Sequence, residues 1–361
     1  MKNEILFRFG RLLKERRLPD ILFWIHRLAK KYRQLPWRNY DMVSVVSEKP
    51  MIIFTGANLV NLRRLLQSRL SNMDLTIFYR AGWSLEDKAT RDDRVTNIKK
   101  AQKLFPRHSF IVMANTEREV ELLKGSGIRA EFLNENAFVN ENIFFPRHKG
   151  NPAQFDAVID SQLARYKRLE LAESVSSLAV ITFIMEERFN KSYGELVRNK
   201  LAHAYWANGS FWTSKYRRLN PTEVAGIYRK AKVGLILSAI EGANYVSIQY
   251  LLTGLPVVST PSIGGRDIFF SKDYTAIVEP KPEAIADAVN YFIQNPPAAD
   301  MIRNKTLEKI WVFRRRFENI LISECGLRSI DAKWWEDFIN NRPIRWQDLR
   351  QVSRLLHEAN R

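Results

Sequence analysis

Short apolar runs alternate with helical stretches along most of this 361-residue chain, and that alternation limits the fold more than any other feature. The runs are MIIFT (51–55), LTIFY (75–79), SFIVMA (109–114) and RAEFL (129–133), then FDAVI (155–159), LAVITF (178–183), AYWA (204–207), KVGLILS (232–238), PVVST (256–260) and TAIV (275–278). Helical patterns fall between them, among them Leu59 to Leu70, EREVELLKGSG (117–127), which ends on glycine, and PEAIADAVNYFIQ (282–294). Strands that alternate with helices predict parallel sheets covered by crossover helices, an α/β fold. The segment PRHKGNPAQ (146–154), with two prolines and a glycine, divides two such series. The polar stretch 81–94, AGWSLEDKATRDDR, reads as a long loop with a functional role.

The chain is long enough for two cores. Its single cysteine, Cys325, excludes an intrachain disulfide and a cysteine-based zinc site, and a reducing compartment fits. No run of about 18 apolar residues predicts a transmembrane helix, and the charged start of the chain argues against a signal peptide. The net charge of +18 is not evenly spread. Residues 1–40 hold eleven Lys and Arg against three acids, on two amphipathic helical patterns divided near Pro19. Such a segment either lies on an anionic membrane surface or packs on the body with its basic face in water. Residues 300–361 read as helical, with Trp311, Trp334, Trp335 and Trp346 as packing anchors. No nucleic-acid-binding motif accompanies the charge, so a nucleic acid is not an expected partner.

The stretch from Glu241 to Asp267, EGANYVSIQYLLTGLPVVSTPSIGGRD, carries the chemistry. Glu241 and Gly242 follow the end of an apolar strand, and a short helical pattern follows with Gln249 on it. Strand ends in an open parallel sheet are where ligands bind, and a helix start favours anions, phosphate above all. The segment therefore reads as a ligand cradle.

In order and spacing, residues 155–294 resemble the C-terminal domain of GT-B glycosyltransferases, in particular the retaining family 4 group, also called glycosyl transferases group 1. The resemblance rests on FDAVIDSQLARYKRLELAESV, on LNPTEVAGIYRKAKVGLILSAIEGANYVSIQYLLTGLPVVST and on GGRDIFFSKDYTAIVEPKPEAIADAV. Residues 51–145 are similar to a shortened N-terminal domain of that group. What the resemblance implies is an α/β GT-B fold of two Rossmann-like domains facing a cleft, with helical extensions at both ends. The expected units are a basic helical extension (1–45), an acceptor domain (46–148), a donor domain (149–300) and a C-terminal helical segment (301–361).

The resemblance also implies roles. Glu241 matches the acid that approaches the donor sugar, and Gly242, Ala243, Asn244 and Tyr245 supply backbone amides to its hydroxyls and the diphosphate. Gln249 stands where the group has a second acid for the nucleotide ribose, and an amide oxygen accepts such a bond without the charge. Lys167 matches the lysine of the basic pair that neutralises the leaving diphosphate. Gln162 falls on the arginine of that pair, so Arg165 or Arg168 is expected to supply a guanidinium. Gly264, Gly265 and Arg266 are expected on the donor, and Thr55, Gly56 and Asn58 on the acceptor side of the cleft. Base contacts are expected around Gly209 to Ser214. No cofactor or metal is expected. Asp92 and Asp93 read as a solvated charge pair rather than a metal site, and His108 as structural.

The expected function is transfer of a sugar, with retention, from a nucleotide-diphosphate sugar to a hydroxyl of a saccharide or lipid-linked acceptor. Polysaccharide, lipopolysaccharide or glycolipid synthesis would be the setting, in the cytoplasm or at the inner face of the membrane. The alternative is a catalytically silent relative that binds and scaffolds at the membrane surface.

Overall fold

The computed structural model describes residues 43–56, 58–60, 74–148, 150–184, 189–209 and 216–340. The helical patterns expected over 1–40 and 61–70, most of the loop expected to read the base, and Trp346 lie outside the described residues.

The first sheet contains β1 (Val43–Glu48), β2 (Met51–Thr55), β3 (Leu75–Arg80), β4 (His108–Ala114) and β5 (Ala130–Phe132), in that order. From β2 to β5 neighbours are parallel, as the apolar runs predict. The edge strand β1 was not foreseen; VSVVSE breaks apolar–polar alternation at Val45 and Val46, and the strand pairs antiparallel with β2 through a register shift there. Helices α1 (Lys88–Leu104) and α2 (Glu117–Lys124) make the crossovers after β3 and β4. Side chains leave a strand alternately on its two faces. Ile53, Ile77 and Val112 therefore meet Ile98 of α1 on one face, while Ile52, Phe54, Phe78 and Met113 point to the other.

The helix α1 corrects the reading of 81–94 as one long loop. Asp87 caps the helix by accepting from the amide of Thr90, so only 81–87 is loop. Asp92 and Asp93 lie on α1, paired with Lys88 and Arg94 in solvent.

The second sheet contains β6 (Phe155–Gln162), β7 (Leu178–Phe183), β8 (Tyr205–Trp206), β9 (Ala231–Ile236), β10 (Val257–Ser259) and β11 (Thr275–Ile277). Its order is β11-β10-β9-β6-β7-β8, all parallel. The chain winds outward from β6 to β8, then returns to the other side of β6 with β9. The order reverses between β6 and β9, and ligands of such sheets bind beyond the strand ends at that reversal.

Helices α3 (Lys191–Lys200), α4 (Pro221–Tyr228), α5 (Tyr245–Leu252) and α6 (Pro282–Gln294) cover this sheet. At the start of α4, Asn220 and Glu223 exchange reciprocal cap bonds with Pro221 at the first helical position, a signature legible in NPTE. Helix α5 is seated by one side chain. The ring of Tyr250 fills the space over Gly234 of β9, where any Cβ would collide with it. Its hydroxyl donates to the Val158 carbonyl (3.1 Å) and accepts from the Asp160 amide (2.8 Å).

Helix α7 (Ala299–Ser323) is 25 residues long and joins the two sheets. Ile302, Ile310 and Phe313 lie in the core of the second. Phe317, Ile320 and Leu321 lie in the core under the first, with Trp335, Phe338 and Ile339 of α8 (Ala332–Asn340). The Phe317 ring sits 5.1 Å from that of Phe78 and 5.4 Å from that of Phe54, both edge-on. Arg314 is buried one turn earlier. Its guanidinium takes both oxygens of Glu141 and the carbonyls of Ala137 and Val139.

Phe317→Ala is expected to cost about 3–5 kcal/mol of stability, because it opens a cavity where both sheets and α8 converge. Val312→Ala, on the exposed face of the same helix, is expected to change stability by about 0.5 kcal/mol or less. Thermal or urea unfolding of the two variants checks this, and equal effects would contradict the packing described.

Candidate functional site

A cavity of about 700 Å³ opens at the reversal between β6 and β9. That is a size suited to a small organic ligand. The second sheet contributes Asp160, Ser161 and Gln162 at the end of β6 with Lys167 after it, Ile181, Thr182 and Phe183 at the end of β7, and Glu241 to Val246 with Gln249 after β9. Asn208 and Arg218 come from the connection between β8 and α4. The first sheet supplies Arg80, Gly82 and Glu135. Among the described residues, three cations (Arg80, Lys167, Arg218) and three acids (Glu135, Asp160, Glu241) line this space.

The turn after β9 is built to present backbone amides. Glu241 N–H donates to the Ile263 carbonyl (3.0 Å). Gly264 follows Ile263 at φ 103°, where a Cβ would fall on the Glu241 carbonyl oxygen. Asn244, in the left-handed region at φ 60°, caps α5: its Oδ1 accepts from the Ser247 amide (3.2 Å) and its Nδ2 donates to Glu241 Oε1 (3.0 Å). Among the described residues no backbone carbonyl receives the amides of Gly242, Ala243 or Asn244. These three residues and the first turn of α5 line the cavity, an arrangement suited to an anion.

Lys167 reaches Glu241 Oε1 directly and lies 5.3 Å above the Tyr166 ring. Both ends of this ion pair are largely buried and both line the cavity. The two residues that carried the sequence reading are therefore brought together. Gln249 lines the cavity too, 5% exposed, beside the Tyr228 hydroxyl.

The other basic and glycine residues are placed elsewhere. Arg165 is exposed on the far side of its 3-10 turn, over the Tyr193 ring and near Ser192. Arg168 sits at φ 53° and donates to the carbonyls of Leu237 and Pro261 and to Thr260 Oγ1, so it fastens the ends of β9 and β10. Arg266 is fully buried: it donates to the carbonyls of Ser238 and Thr260 and pairs with Asp267. Gly264 and Gly265 lie against Ser84, Asn115 and Asn134 of the first sheet, so their missing side chains admit the other domain rather than a ligand. Arg165, Arg168, Gly264, Gly265 and Arg266 do not line the cavity. Among the described residues, the guanidiniums that do are Arg80 and Arg218, which the sequence reading did not select.

Among the described residues, the first sheet reaches the cavity at the end of β3 and the loops after β3 and β5, not after β2. Thr55 is buried within its strand, and Asn58 accepts from Asn97 of α1 (2.7 Å). Thr55, Gly56 and Asn58 are not among the lining residues. Arg80, at the end of β3, pairs with Glu135 (3.2 Å), and both reach the Tyr245 hydroxyl, at 3.3 and 3.1 Å. Burial opposes the charge on Arg80, but Glu135 and the Tyr245 hydroxyl outweigh it and raise its pKa. Burial, helped by the Glu135 charge, raises the Tyr245 phenol well above its ordinary range. Asn136 Nδ2 donates to the Ala243 carbonyl (2.6 Å), and Asn134 Nδ2 to the carbonyls of Asn115 (3.0 Å) and Gly265 (2.9 Å). The Trp83 ring meets Tyr166 edge-on at 4.9 Å. His108 stacks on Phe105 within the first sheet's own core.

Residues 213–309 match the family model described as glycosyl transferases group 1. The match runs from α4 through β9, the Glu241 turn, α5, β10, β11 and α6 to the start of α7. No curated protein matches the chain in sequence. Among solved structures, Anabaena Alr3699/HepE in complex with UDP and glucose is similar at 15% identity, over 75% of this chain and 77% of that one, with a TM-score of 0.52. A mutant of S. aureus TarM in complex with fondaparinux, alpha-GlcNAc-glycerol and UDP is similar at 14% identity, over 74% of this chain and 59% of that one, with a TM-score of 0.52. The UDP-forming alpha,alpha-trehalose-phosphate synthase of Burkholderia xenovorans is similar at 13% identity, over 73% and 71% of the two chains, with a TM-score of 0.50. These likenesses establish the fold as GT-B, two Rossmann-like halves facing a cleft.

One buried acid links this seam to pH. Glu119 of α2 is fully buried and accepts from the amides of Leu85 and Asn115 (2.7 Å each), on the two loops that meet the second sheet. Burial pushes its carboxyl up from 4.5 to about 7, against those two amides and with the Glu86 and Glu135 charges adding. A folded-state pKa above the unfolded one means that the folded protein holds the proton more tightly. The stability this adds, on the order of 3 kcal/mol, is full below about pH 4.5 and is lost as pH rises through about 7. Glu119→Gln removes the titration. The melting temperature of the wild type is expected to fall by several degrees relative to Glu119→Gln between pH 5 and 8, and a constant difference would contradict the assignment.

Proposed function

We propose that this chain, whose residues 213–309 are a group 1 glycosyltransferase domain on a GT-B fold, transfers a sugar with retention from a nucleotide-diphosphate sugar to a hydroxyl acceptor. The observation that carries the reading is the meeting of Lys167, Glu241 and the amides from Gly242 to the start of α5 at one end of an interdomain cavity.

The donor lies along the second sheet's side of that cavity. Its diphosphate faces the amides of Gly242 to Tyr245, which also fits the UDP in the HepE and TarM complexes. Its sugar faces Glu241, and its nucleoside extends past Gln249 toward Ile181, Thr182 and Phe183. As the bond between the anomeric carbon and the phosphate oxygen breaks, charge grows on the phosphate. Lys167 moves from Glu241 to that charge, with Arg80 and Arg218 adding to the field, because preorganised cations are worth most where charge develops. Glu241, released from the lysine, stabilises positive charge at the anomeric carbon. The acceptor hydroxyl attacks from the side the phosphate leaves, and its proton passes to the departing phosphate oxygen. The side-chain cations and amides do the work a metal would do, so the reaction is metal-independent in this reading. The acceptor is a saccharide or a lipid-linked saccharide, brought to the first sheet's side of the cavity. The basic residues 1–40 suit a membrane-held acceptor at the cytoplasmic face.

A second reading, binding without turnover, draws on Gln162. It occupies the expected arginine position, and its buried Nε2 has no hydrogen-bond partner among the described residues.

Titration with UDP-, GDP-, ADP- and CMP-sugars, followed by transfer or donor-hydrolysis assays, separates the two readings. Glu241→Ala is expected to lower kcat by about 10²–10³ with donor KM little changed. Lys167→Ala is expected to lower kcat and weaken nucleoside diphosphate binding together. Unchanged rates in both variants would contradict the site. Tight donor binding with no turnover under any acceptor would favour the silent reading.

A further inference from the structure

Position 249 is an amide where a carboxylate would serve a ribose better, and the fold supplies a carboxylate beside it. The Tyr228 hydroxyl lies 2.6 Å from Asp160 Oδ2 and 3.3 Å from Gln249 Oε1. A phenol has one proton, and the shorter contact to a charged oxygen takes it. The Gln249 amide turned by half a rotation then donates its N–H to the same phenol oxygen, the orientation such a network requires. The chain of bonds runs from the Gln249 amide through the Tyr228 hydroxyl to the Asp160 carboxylate. An acid at 249 would have no proton to give, so the amide is the side chain this arrangement selects.

Asp160 is also the more accessible of the two. It is half-buried and lines the cavity, whereas Gln249 is 5% exposed. Its backbone is fixed, because the amide donates to the Tyr250 hydroxyl (2.8 Å). It stands on β6 at the sheet's reversal. Gln249 is four residues along α5 from Tyr245, about 6 Å of helix rise. That is the span from a phosphate at the helix start to the adjoining pentose.

We infer that Asp160 receives the 2′,3′-diol of the donor's ribose, with Tyr228 and Gln249 as positioning residues behind it. The inference rests on the reading of this cavity as a nucleotide-diphosphate sugar site. It makes the donor a ribonucleotide and moves the diol-binding charge from the helix to the strand.

Calorimetry tests it with UDP, GDP and ADP, followed by the 2′,3′-dideoxy counterpart of whichever binds best. Wild-type protein is expected to bind the dideoxy form about tenfold more weakly or worse. Asp160→Asn and Asp160→Ala are expected to reduce that ratio to about twofold or less, and Gln249→Ala to keep most of it. Gln249→Glu sets two carboxylates against one phenol proton and is expected to weaken the ribonucleotide while Asp160 is untouched. An unchanged ratio in folded Asp160 variants, a ratio abolished by Gln249→Ala, or tighter binding by Gln249→Glu overturns the inference while leaving the donor site standing. Failure of the wild type to bind any of the three nucleotides overturns the donor-site reading and the inference with it.

Discussion

Helix α7 is buried in two cores at once, and the site depends on it. Its first half packs through Ile302, Ile310 and Phe313 beneath the second sheet, its last turns through Phe317, Ile320 and Leu321 beneath the first. A helix is close to a rigid rod over this length, so the two sheets cannot choose their relative placement freely. Two arginines, Arg314 buried and Arg303 half-buried, fix the rod against the chain between the sheets. Arg303 donates to the carbonyls of Phe144, Leu252 and Glu141, and Arg314 to those of Ala137 and Val139 and to the Glu141 carboxylate.

With the sheets so placed, the seam closes around the cavity through small residues and amides. Gly242 brings its backbone against that of Trp83, and Gly264 and Gly265 admit Ser84 and Asn115. Asn134 and Asn136 cross the seam as amide donors to carbonyls. Arg80, Glu135 and the Tyr245 hydroxyl cross it at the first residue of α5. The amides proposed to hold phosphate are thus braced from the other sheet. In a low-dielectric cleft such fixed dipoles and charges act more strongly than in water.

Much of this was legible in the sequence, for definite reasons. Buried parallel strands read as unbroken apolar runs, and MIIFT, LAVITF and PEAIADAVNYFIQ became β2, β7 and α6 without change of boundary. Glu241 was legible because it follows a strand end, and Lys167 because it matches the lysine that the resemblance implies. Helix α1 was hidden because its exposed face is nearly all charged, leaving Asn97, Ile98 and Ala101 as its buried residues. The glycines 264 and 265 misled because close approach of backbone selects glycine whether the neighbour is a ligand or another loop. Arg266 misled because a buried guanidinium that serves carbonyls has the same letter as one that serves phosphate. Arg80 and Glu135 are 55 residues apart and meet only because β3, β4 and β5 lie side by side. Asp160 was hidden in an apolar strand, where its relation to Tyr228 and Gln249 needs the sheet order to appear.

The central claim is that this interdomain cavity holds a nucleotide-diphosphate sugar with its phosphates on the start of α5. A crystal soaked with UDP-, GDP- and ADP-sugars addresses it most directly. The account predicts a diphosphate within hydrogen-bond distance of the Gly242 to Tyr245 amides, with Lys167 turned from Glu241 toward it. A nucleotide seated elsewhere on the protein, or a cavity that stays free of one at saturating concentration, would contradict it.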